Sequence, residues 1–161
     1  MPRSRNSACP VNDAGWYDHP AYYDLAFRSE TRRDADFIEA ACRKYCPFAV
    51  RRLLEPGCGS GRLVVELARR TYDVMGFDLS ESALEYLRRR LVRQGLRAGV
   101  SQDDMADFSP GRPVDAAYCL WNTFRHLTSE SSARQHLDCV ARRLRPGGIY
   151  IVGLHLLPLD V

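Results

Sequence analysis

The chain has 161 residues and a formal net charge of +3, and 45% of its residues are hydrophobic. This length and composition suit one globular domain with its own core and leave no room for a second. No apolar run reaches membrane-spanning length, and residues 1–20 lack the pattern of a secretory signal, so we expect a cytoplasmic protein without a membrane partner.

The cysteine and arginine residues bear on the cellular compartment and on binding of metal or nucleic acid. The 6 cysteines lack the paired spacings of a zinc site or a redox C-x-x-C motif, so we predict a reducing compartment and no metal. All but one of the 23 lysine and arginine residues are arginine, but they alternate with acidic residues and not with aromatic ones. That pattern is typical of solvated helix faces and disfavours a nucleic-acid partner.

The N-terminal part of the chain divides into a lead and an aromatic segment. Residues 1–15 are predicted to be a flexible lead. Residues 16–48 contain an aromatic segment followed by a helix over residues 30–45. The aromatic side chains either face a ligand or pack on the sheet as a hydrophobic staple, and both interpretations stay open.

Residues 53–61, Leu-Leu-Glu-Pro-Gly-Cys-Gly-Ser-Gly, carry the most informative pattern. Apolar residues precede three alternating glycines, and Leu63, Val64 and Leu67 then recur at helical spacing, which predicts a strand, a turn and a helix. This unit opens a doubly wound sheet. Glycine lets a ligand approach the backbone, and the free N–H groups at the helix start attract it. The G-x-G-x-G spacing differs from the G-x-G-x-x-G of dinucleotide sites.

The next predicted strand, residues 72–78, ends in a carboxylate. Ser80 is a suitable N-cap for a following helix whose apolar face carries Leu84 and Leu87. The carboxyl ends of parallel strands are where such sheets bind ligands, and Asp78 at that end can accept hydrogen bonds from ribose hydroxyls. The alternative, that Asp78 only caps the helix, is disfavoured because Ser80 already serves that purpose.

Further segments complete the pattern, so that four strand–helix steps lead to a fifth strand. An acidic stretch at residues 102–108 contains two adjacent aspartates. Residues 114–120 predict a fourth strand, and residues 121–127 predict a loop after it. Residues 144–152 combine a helix end, Pro-Gly-Gly and the fifth strand.

Together these motifs resemble those of class I S-adenosylmethionine-dependent methyltransferases, in the same order and over residues 50–155. The resemblance implies a Rossmann-like three-layer α/β/α sandwich with a mostly parallel sheet in the order 3-2-1-4-5, within a domain spanning residues 49–161. It implies S-adenosyl-L-methionine as cofactor and S-adenosyl-L-homocysteine as product. The aromatic segment would then fold over the cofactor as a cap, with Tyr23 as its candidate contact.

The family's motifs, transferred residue by residue, predict the cofactor contacts. Glu55 would orient the amino-acid end of the cofactor, and Asp78 would bind the ribose. Asp104 would accept from the adenine amine and Met105 would offer its backbone N–H, with Asp103 as the adjacent alternative. The predicted cofactor-binding residues are Tyr23, Glu55, Gly57, Cys58, Gly59, Gly61, Asp78, Leu79, Asp104, Met105 and Leu120.

The resemblance implies direct displacement, in which an acceptor atom attacks the sulfonium methyl group in line. The protein then acts mainly by positioning the reactants and excluding water. We predict a small-molecule acceptor of unidentified structure, which Trp121 and Asn122 would help to bind. His126 and Asn122 are the catalytic candidates, with His126 as a general base.

Two departures from the family pattern stand out. Thr71 follows the first helix after the glycine turn, where relatives usually have a left-handed glycine. A β-branched residue in that conformation costs roughly 1 kcal/mol or more, and the alternative is that the helix ends in another way. The chain also ends at Val161, without the last two strands of the seven-stranded family sheet. Residues 148–157 then form an apolar edge strand, which favours pairing with another chain. A fragment, a homodimer through this edge and a degenerate enzyme are the alternatives, and the unprotected edge favours a fragment.

Two other functional classes are considered. A cofactor-binding module without catalytic activity would share the same motifs, because fold alone does not fix function. A nucleotide-dependent oxidoreductase would share the sheet and the acidic end of the second strand. The glycine spacing disfavours the oxidoreductase, and so do the Asp104-Met105 and Pro146-Gly147-Gly148 motifs.

Overall fold

A five-stranded parallel sheet forms the centre of the molecule. The computed structural model describes residues 19–108 and 111–155, so the predicted lead, Trp16, Tyr17 and residues 156–161 lie outside the described residues. The strands are β1 (Arg52–Pro56), β2 (Asp73–Asp78), β3 (Gly99–Gln102), β4 (Val114–Cys119) and β5 (Leu144–Val152). Their spatial order is β3-β2-β1-β4-β5 and each pair is parallel, which confirms the predicted sheet.

The helices in the described residues pack around this sheet. They are α1 (Pro20–Phe27), α2 (Thr31–Tyr45), α3 (Arg62–Arg69), α4 (Glu81–Arg93) and α5 (Glu130–Arg143), with 3-10 turns at Arg28–Glu30 and Thr123–His126. The predicted N-cap of α4 is confirmed, because the Ser80 hydroxyl accepts a hydrogen bond from Ala83 N at 3.3 Å. No helix within the described ranges is both long enough and apolar enough to cross a bilayer.

Strand residues alternate between two apolar cores because successive side chains of a strand point to opposite faces. Leu53 packs with α2, α3 and α4 in the first core, whereas its neighbour Leu54 packs in the second core together with α5. Tyr118 and Cys119 divide between the two cores in the same way. Both faces of the central strands are therefore buried, as expected in a three-layer α/β/α sandwich.

One strand-to-strand connection lacks the predicted helix. Between β3 and β4, residues 103–108 and 111–113 form turns and extended chain without a helix, so the prediction of four strand–helix steps is wrong here. Pro113 disfavours a helix at the end of this connection, because proline removes a helical hydrogen bond and restricts the residue before it. Met105 of this loop packs in the second core.

Helix α3 ends at the residue where the sequence predicts strain. Thr71 has a φ of 72°, which is the left-handed conformation that glycine usually supplies. Its N–H donates to Ala68 O at 3.0 Å, and Tyr72 N donates to Leu67 O at 3.1 Å. These bonds satisfy carbonyls at the helix end, as in helices that end in glycine. Of the two alternatives, the structure shows the left-handed conformation, with a β-branched side chain in place of glycine.

Strand β5 lies at the edge of the sheet. It pairs with β4, and the paired residues run from Val114 opposite Leu144 to Cys119 opposite Val152. No strand among the described residues pairs with its other side. The strand begins and ends earlier than predicted, at Leu144 and Val152. Val152 is 37% exposed, so the open edge presents apolar surface.

Candidate functional site

A cavity of about 330 Å³ opens at the carboxyl ends of β1, β2 and β4. Parallel sheets of this order bind ligands at this end. The predicted residues that line it are Tyr23, Glu55, Gly57, Cys58, Gly59, Asp78, Leu79, Met105, Leu120, Trp121 and His126. Its other lining residues are Pro20, Ser60, Arg62, Leu63, Ser80, Ala83, Asp103 and Thr123. Of the predicted site residues, Gly61, Asp104 and Asn122 do not line the cavity.

The glycine turn between β1 and α3 forms one wall of the cavity. Gly59 has a φ of 52°, which favours glycine, and a Cβ placed there would meet nothing within 4 Å. Its N–H donates to Asp78 Oδ2 at 2.8 Å, and Ser80 N donates to Asp78 Oδ1 at 2.9 Å. Each carboxylate oxygen can accept a second hydrogen bond. Asp78 therefore joins two turns of the cavity wall and keeps the capacity to bind ligand hydroxyls.

Gly61 serves helix packing and does not reach the cavity. It has a φ of 69° at the N-cap of α3, and a Cβ there would lie 2.1 Å from Leu87 Cδ1. Leu87 belongs to α4, so the third glycine of the turn lets α4 pack against the start of α3. This contact explains why Gly61 is absent from the lining although it belongs to the motif.

Glu55, at the end of β1, is a buried acid in the cavity wall. It is 9% exposed, and its Oε2 accepts from the Tyr118 hydroxyl at 3.1 Å. Burial raises the pKa of Glu55 to about 8, against the lowering effects of the Tyr118 hydrogen bond and the Arg62 charge. The carboxyl group is therefore mostly protonated at neutral pH, and a cation placed beside it would favour its charged form.

Polar contacts tie α1 to the glycine turn. Arg90 of α4 donates to the Ser60 carbonyl at 3.0 Å and pairs with Asp24 of α1 at 2.9 Å. Pro20 and Tyr23 of α1 thereby line the cavity. The Ser60 hydroxyl is buried without a hydrogen-bond partner among the described residues. A buried hydroxyl in a cavity wall favours a ligand that supplies the missing hydrogen bond.

The loop after β4 is strained and tightly held. Trp121 and Asn122 are both left-handed, with φ of 57° and 63°, and such residues persist where surrounding contacts fix them. The Trp121 indole N–H donates to Asp34 Oδ2 at 2.6 Å, and its ring lies 4.8 Å from the Phe27 ring. The Arg62 guanidinium pairs with Asp34 at 2.8 Å and lies 5.2 Å from the indole. We call Asp34, Arg62 and Trp121 the latch, because they join α2, α3 and this loop.

The two catalytic candidates are placed differently. His126 lines the cavity. The Asn122 amide Nδ2 instead lies 2.9 Å from His155 Nδ1, and its Oδ1 accepts from His155 N at 2.7 Å. The Asn122 backbone N–H donates to Gly153 O at 3.2 Å. Asn122 therefore holds the segment after β5 to the loop after β4, and the structure does not bring its side chain to the cavity.

The acidic stretch presents Asp103, and not Asp104, to the cavity. Asp103 is among the lining residues, whereas Asp104 is exposed and its Oδ1 accepts from Ala106 N at 2.8 Å. This hydrogen bond closes an Asx turn, which is a common local structure of aspartate. Of the two alternatives that the sequence left open, Asp103 is the one in position.

The thiol of Cys58 is unsuited to nucleophilic chemistry. Burial, followed by the neighbouring acidic groups of Glu55 and Asp78, raises the pKa of Cys58 well above its usual value. The thiolate that a nucleophile needs is therefore not formed at neutral pH. In the part of the chain that the structure describes, no three histidine, cysteine or acidic side chains are grouped to hold a metal ion.

Sequence reasoning missed three residues of this region: Ser60, Arg62 and Asp34. The signal that could have identified Arg62 is its position as the first residue of α3, directly after the glycine turn. Asp34 gives no local signal, because its contacts with Arg62 and Trp121 span 28 and 87 positions. Ser60 lies within the glycine motif, but only the structure reveals that its hydroxyl is buried.

The fold and the cavity define a class I methyltransferase domain. Residues 53–148 match the methyltransferase domain family, and the chain belongs to that family. It is 32% identical over 133 residues to a dTDP-3-amino-3,6-dideoxy-alpha-D-glucopyranose N,N-dimethyltransferase of Streptomyces fradiae, covering 81% of this chain and 50% of the relative. It is 34% identical over 101 residues to a ubiquinone biosynthesis O-methyltransferase of Alkalilimnicola ehrlichii, covering 61% of this chain and 39% of the relative.

A solved structure supports the same class. The structure of CalS10 with bound S-adenosylmethionine, an amino pentose methyltransferase from Micromonospora echinaspora, matches with a TM-score of 0.75 and 26% identity. The match covers 85% of this chain and 57% of that chain. The chain spans about half the length of the curated relatives it matches, at 57%, 50% and 56% of three of them.

S-Adenosyl-L-methionine is the cofactor of this family, and the cavity suits it. The cofactor carries a net positive charge, and the cavity wall contains the carboxylates of Asp78 and Asp103 together with the carboxyl group of Glu55, which burial keeps mostly neutral. Arg62 in the same wall is paired with Asp34, so the wall is acidic on balance. The family match excludes the oxidoreductase alternative.

Proposed function

We propose that this chain is the cofactor-binding part of an enzyme that transfers a methyl group from S-adenosyl-L-methionine to an amino group of a small molecule. One observation carries the proposal. The same cavity is lined by the glycine turn, by Asp78 at the end of β2, and by Tyr23, Trp121 and His126 from segments outside the sheet. Relatives whose names include an amino sugar, from Streptomyces fradiae and Micromonospora echinaspora, support an amine as acceptor.

The residues around the cavity have separate tasks in this proposal. When bound, the cofactor supplies a sulfonium methyl group that the acceptor attacks in line as S-adenosyl-L-homocysteine leaves. Asp78 and the glycine turn hold the nucleoside, and Tyr23 contacts the cofactor from the cap. Trp121 helps to bind the acceptor and to exclude water. His126 accepts the proton that the amine must lose, because an ammonium group has no lone pair for attack.

The adenine end of the site is proposed with one change from the sequence prediction. Met105 offers its backbone N–H to the adenine, and Asp103 takes the place given to Asp104 as acceptor of the adenine amine. Glu55 faces the amino-acid end, where a nearby cation favours its ionised form. Gly61 contributes through the packing of α3 on α4.

We also propose a reducing cytoplasm as the compartment and self-association through β5. The cysteines that the structure describes, Cys42, Cys46, Cys58, Cys119 and Cys139, are free, which supports a reducing compartment. The open side of β5 supports association, because exposed strand edges pair with other chains.

Calorimetric titration with S-adenosyl-L-homocysteine tests the cofactor site. We expect wild type to bind, Asp78→Ala to lose binding, and Asp73→Ala to bind like wild type. Asp73 lies on the same strand but at its opposite end, so it is a matched control for the loss of a carboxylate. NADH is expected to give no heat. Binding of NADH, or an equal loss in both variants, would contradict the assignment.

Methyl transfer is tested by mass spectrometry with nucleotide-linked amino sugars and phenols as acceptors. We expect methylated amines, and we expect His126→Asn to lower kcat while the affinity for S-adenosyl-L-homocysteine stays unchanged. Products formed from phenols alone would contradict the amine proposal. Cofactor binding without turnover on any acceptor would favour the non-catalytic module.

A further inference from the structure

His136 lies outside the cavity, yet its side chain is bound to the cavity wall. The residue belongs to the buried face of α5 and is 0% exposed. Its Nδ1 lies 2.6 Å from Met105 O, and its Nε2 lies 2.7 Å from the Tyr150 hydroxyl. Because Met105 lines the cavity, His136 connects α5 and β5 to the wall of the site.

The partners of His136 determine which ring nitrogen carries the proton. A carbonyl oxygen only accepts, so Nδ1 donates to Met105 O, and Nε2 of the neutral ring accepts from the Tyr150 hydroxyl. Burial lowers the pKa of His136, while the hydrogen bond to Met105 O acts in the opposite direction. The rings of Phe108 and Phe124 lie 6.1 Å and 5.5 Å from the imidazole. These apolar neighbours favour the neutral ring, and the Met105 carbonyl places its proton on Nδ1.

Three side-chain hydrogen bonds fix the backbone on both sides of the Met105 N–H. Asp103 Oδ1 accepts from Asp104 N at 3.0 Å, and Asp104 Oδ1 accepts from Ala106 N at 2.8 Å. His136 holds the Met105 carbonyl, so the Met105–Ala106 peptide is held at both its N–H and its oxygen. The two aspartate bonds are local to the loop, whereas the bond from His136 anchors the loop to a helix.

We propose that His136 is a positioning residue of the cofactor site, whose Nδ1–H holds the Met105 segment where it recognises the adenine ring. The proposal rests on the proposed function, in which the Met105 N–H meets the adenine. An apolar helix face is served at lower desolvation cost by an aliphatic side chain than by an imidazole. The hydrogen bond to the cavity wall gives the imidazole a function that leucine cannot supply.

Two ligands distinguish this role from a merely structural one. S-Inosylhomocysteine differs from S-adenosyl-L-homocysteine by an oxygen in place of the adenine amino group and by a proton on N1, which the Met105 N–H would oppose. A generally weakened site loses affinity for both ligands alike, whereas a displaced Met105 segment loses the preference for adenine. By calorimetry, we expect His136→Leu to reduce the wild-type preference about tenfold, as for the loss of one well-placed hydrogen bond.

His136→Asn is the matched conservative variant. Its amide nitrogen lies where histidine has Nδ1, so it keeps a donor for Met105 O and loses the contact with Tyr150. We expect its preference for adenine to stay within about threefold of wild type. An unchanged preference in His136→Leu, with both affinities lowered alike, would overturn the proposal.

Nitrogen NMR of isotope-labelled histidine decides the question in wild type, even if His136→Leu does not fold. We expect the proton of His136 on Nδ1 and a shift of that resonance when S-adenosyl-L-homocysteine binds. A proton on Nε2, or no response to the ligand, would overturn the proposal. Failure of wild type to bind would overturn it together with the cofactor site, whereas intact binding without methyl transfer would contradict only the proposed function.

Discussion

At the residue scale, the protonation of Glu55 couples stability to pH. Burial raises its pKa from 4.5 to about 8, so between these values the folded protein holds a proton that the unfolded chain has released. The stability contributed by the neutral group is therefore full below pH 4.5 and is lost as the pH rises through 8. We expect Glu55→Gln to be more stable than wild type at pH 8, by on the order of a few kcal/mol at most.

Thermal unfolding in ligand-free buffer at several pH values checks this prediction. The advantage of Glu55→Gln should shrink as the pH falls toward 4.5, the ordinary value of the carboxyl group. Glu85→Gln is the control, because Glu85 lies on the surface of α4 with a side chain 58% exposed. An advantage of Glu55→Gln that does not change with pH would show that its protonation is not the cause.

Gly59 and Gly61 share a backbone conformation, but we expect their alanine variants to differ in stability and in cofactor binding. Both have positive φ, so alanine at either position costs about 1–2 kcal/mol. The methyl group would lie 2.1 Å from Leu87 at Gly61, whereas at Gly59 it would meet nothing within 4 Å. We expect Gly61→Ala to lower the unfolding temperature more, and Gly59→Ala to weaken binding of S-adenosyl-L-homocysteine more, as measured by calorimetry. The reverse ranking would contradict the packing function of Gly61.

At the scale of elements, the latch sets the position of the N-terminal helices over the cavity. Asp34 serves both Arg62, whose side chain is 7% exposed, and Trp121. Trp121→Phe keeps an aromatic ring beside Phe27 but removes the indole N–H. Because a hydrogen bond to a charged group contributes about 1.5–3 kcal/mol, we expect binding of S-adenosyl-L-homocysteine to weaken roughly tenfold or more. Amide exchange in α1 should become faster.

A double-mutant cycle tests the latch directly. Trp121→Phe removes the donor of one hydrogen bond and Asp34→Asn removes the negative charge of its acceptor, so their effects on binding should be less than additive when combined. Asp36→Asn is the control, because Asp36 lies on the same helix and pairs with Arg70. Additive effects of the latch variants would show that the bond between Asp34 and Trp121 does not couple α2 to the loop.

The sequence predicts features of the helices and turns that are determined by residues close together in the chain. Ser80 caps α4 and Thr71 ends α3, because each function needs residues within about one helical turn. The latch and the contact of Asn122 with His155 join positions far apart in the chain, so no local pattern encodes them. Asp104 shows a different limit, because two adjacent aspartates fit one motif and the local Asx turn decides which of them faces the cavity.

At the scale of the whole molecule, the proposed self-association through β5 rests on the open edge of this strand among the described residues. A parallel sheet that ends in an apolar strand presents unpaired N–H and C=O groups, and such edges pair with other strands. We expect wild type to associate as its concentration rises, as measured by sedimentation velocity. Lysine in place of Val152 should keep the protein monomeric, because a charged side chain on an edge strand opposes pairing.

Val92→Lys is the matched control for this prediction. Val92 is 81% exposed on α4, whereas Val152 is 37% exposed on β5, so both variants add one positive charge to the surface and only one adds it to the edge. Association should persist in Val92→Lys and disappear in Val152→Lys. Equal effects of the two variants would assign association to net charge, and a wild type that is monomeric at every concentration would contradict pairing through β5.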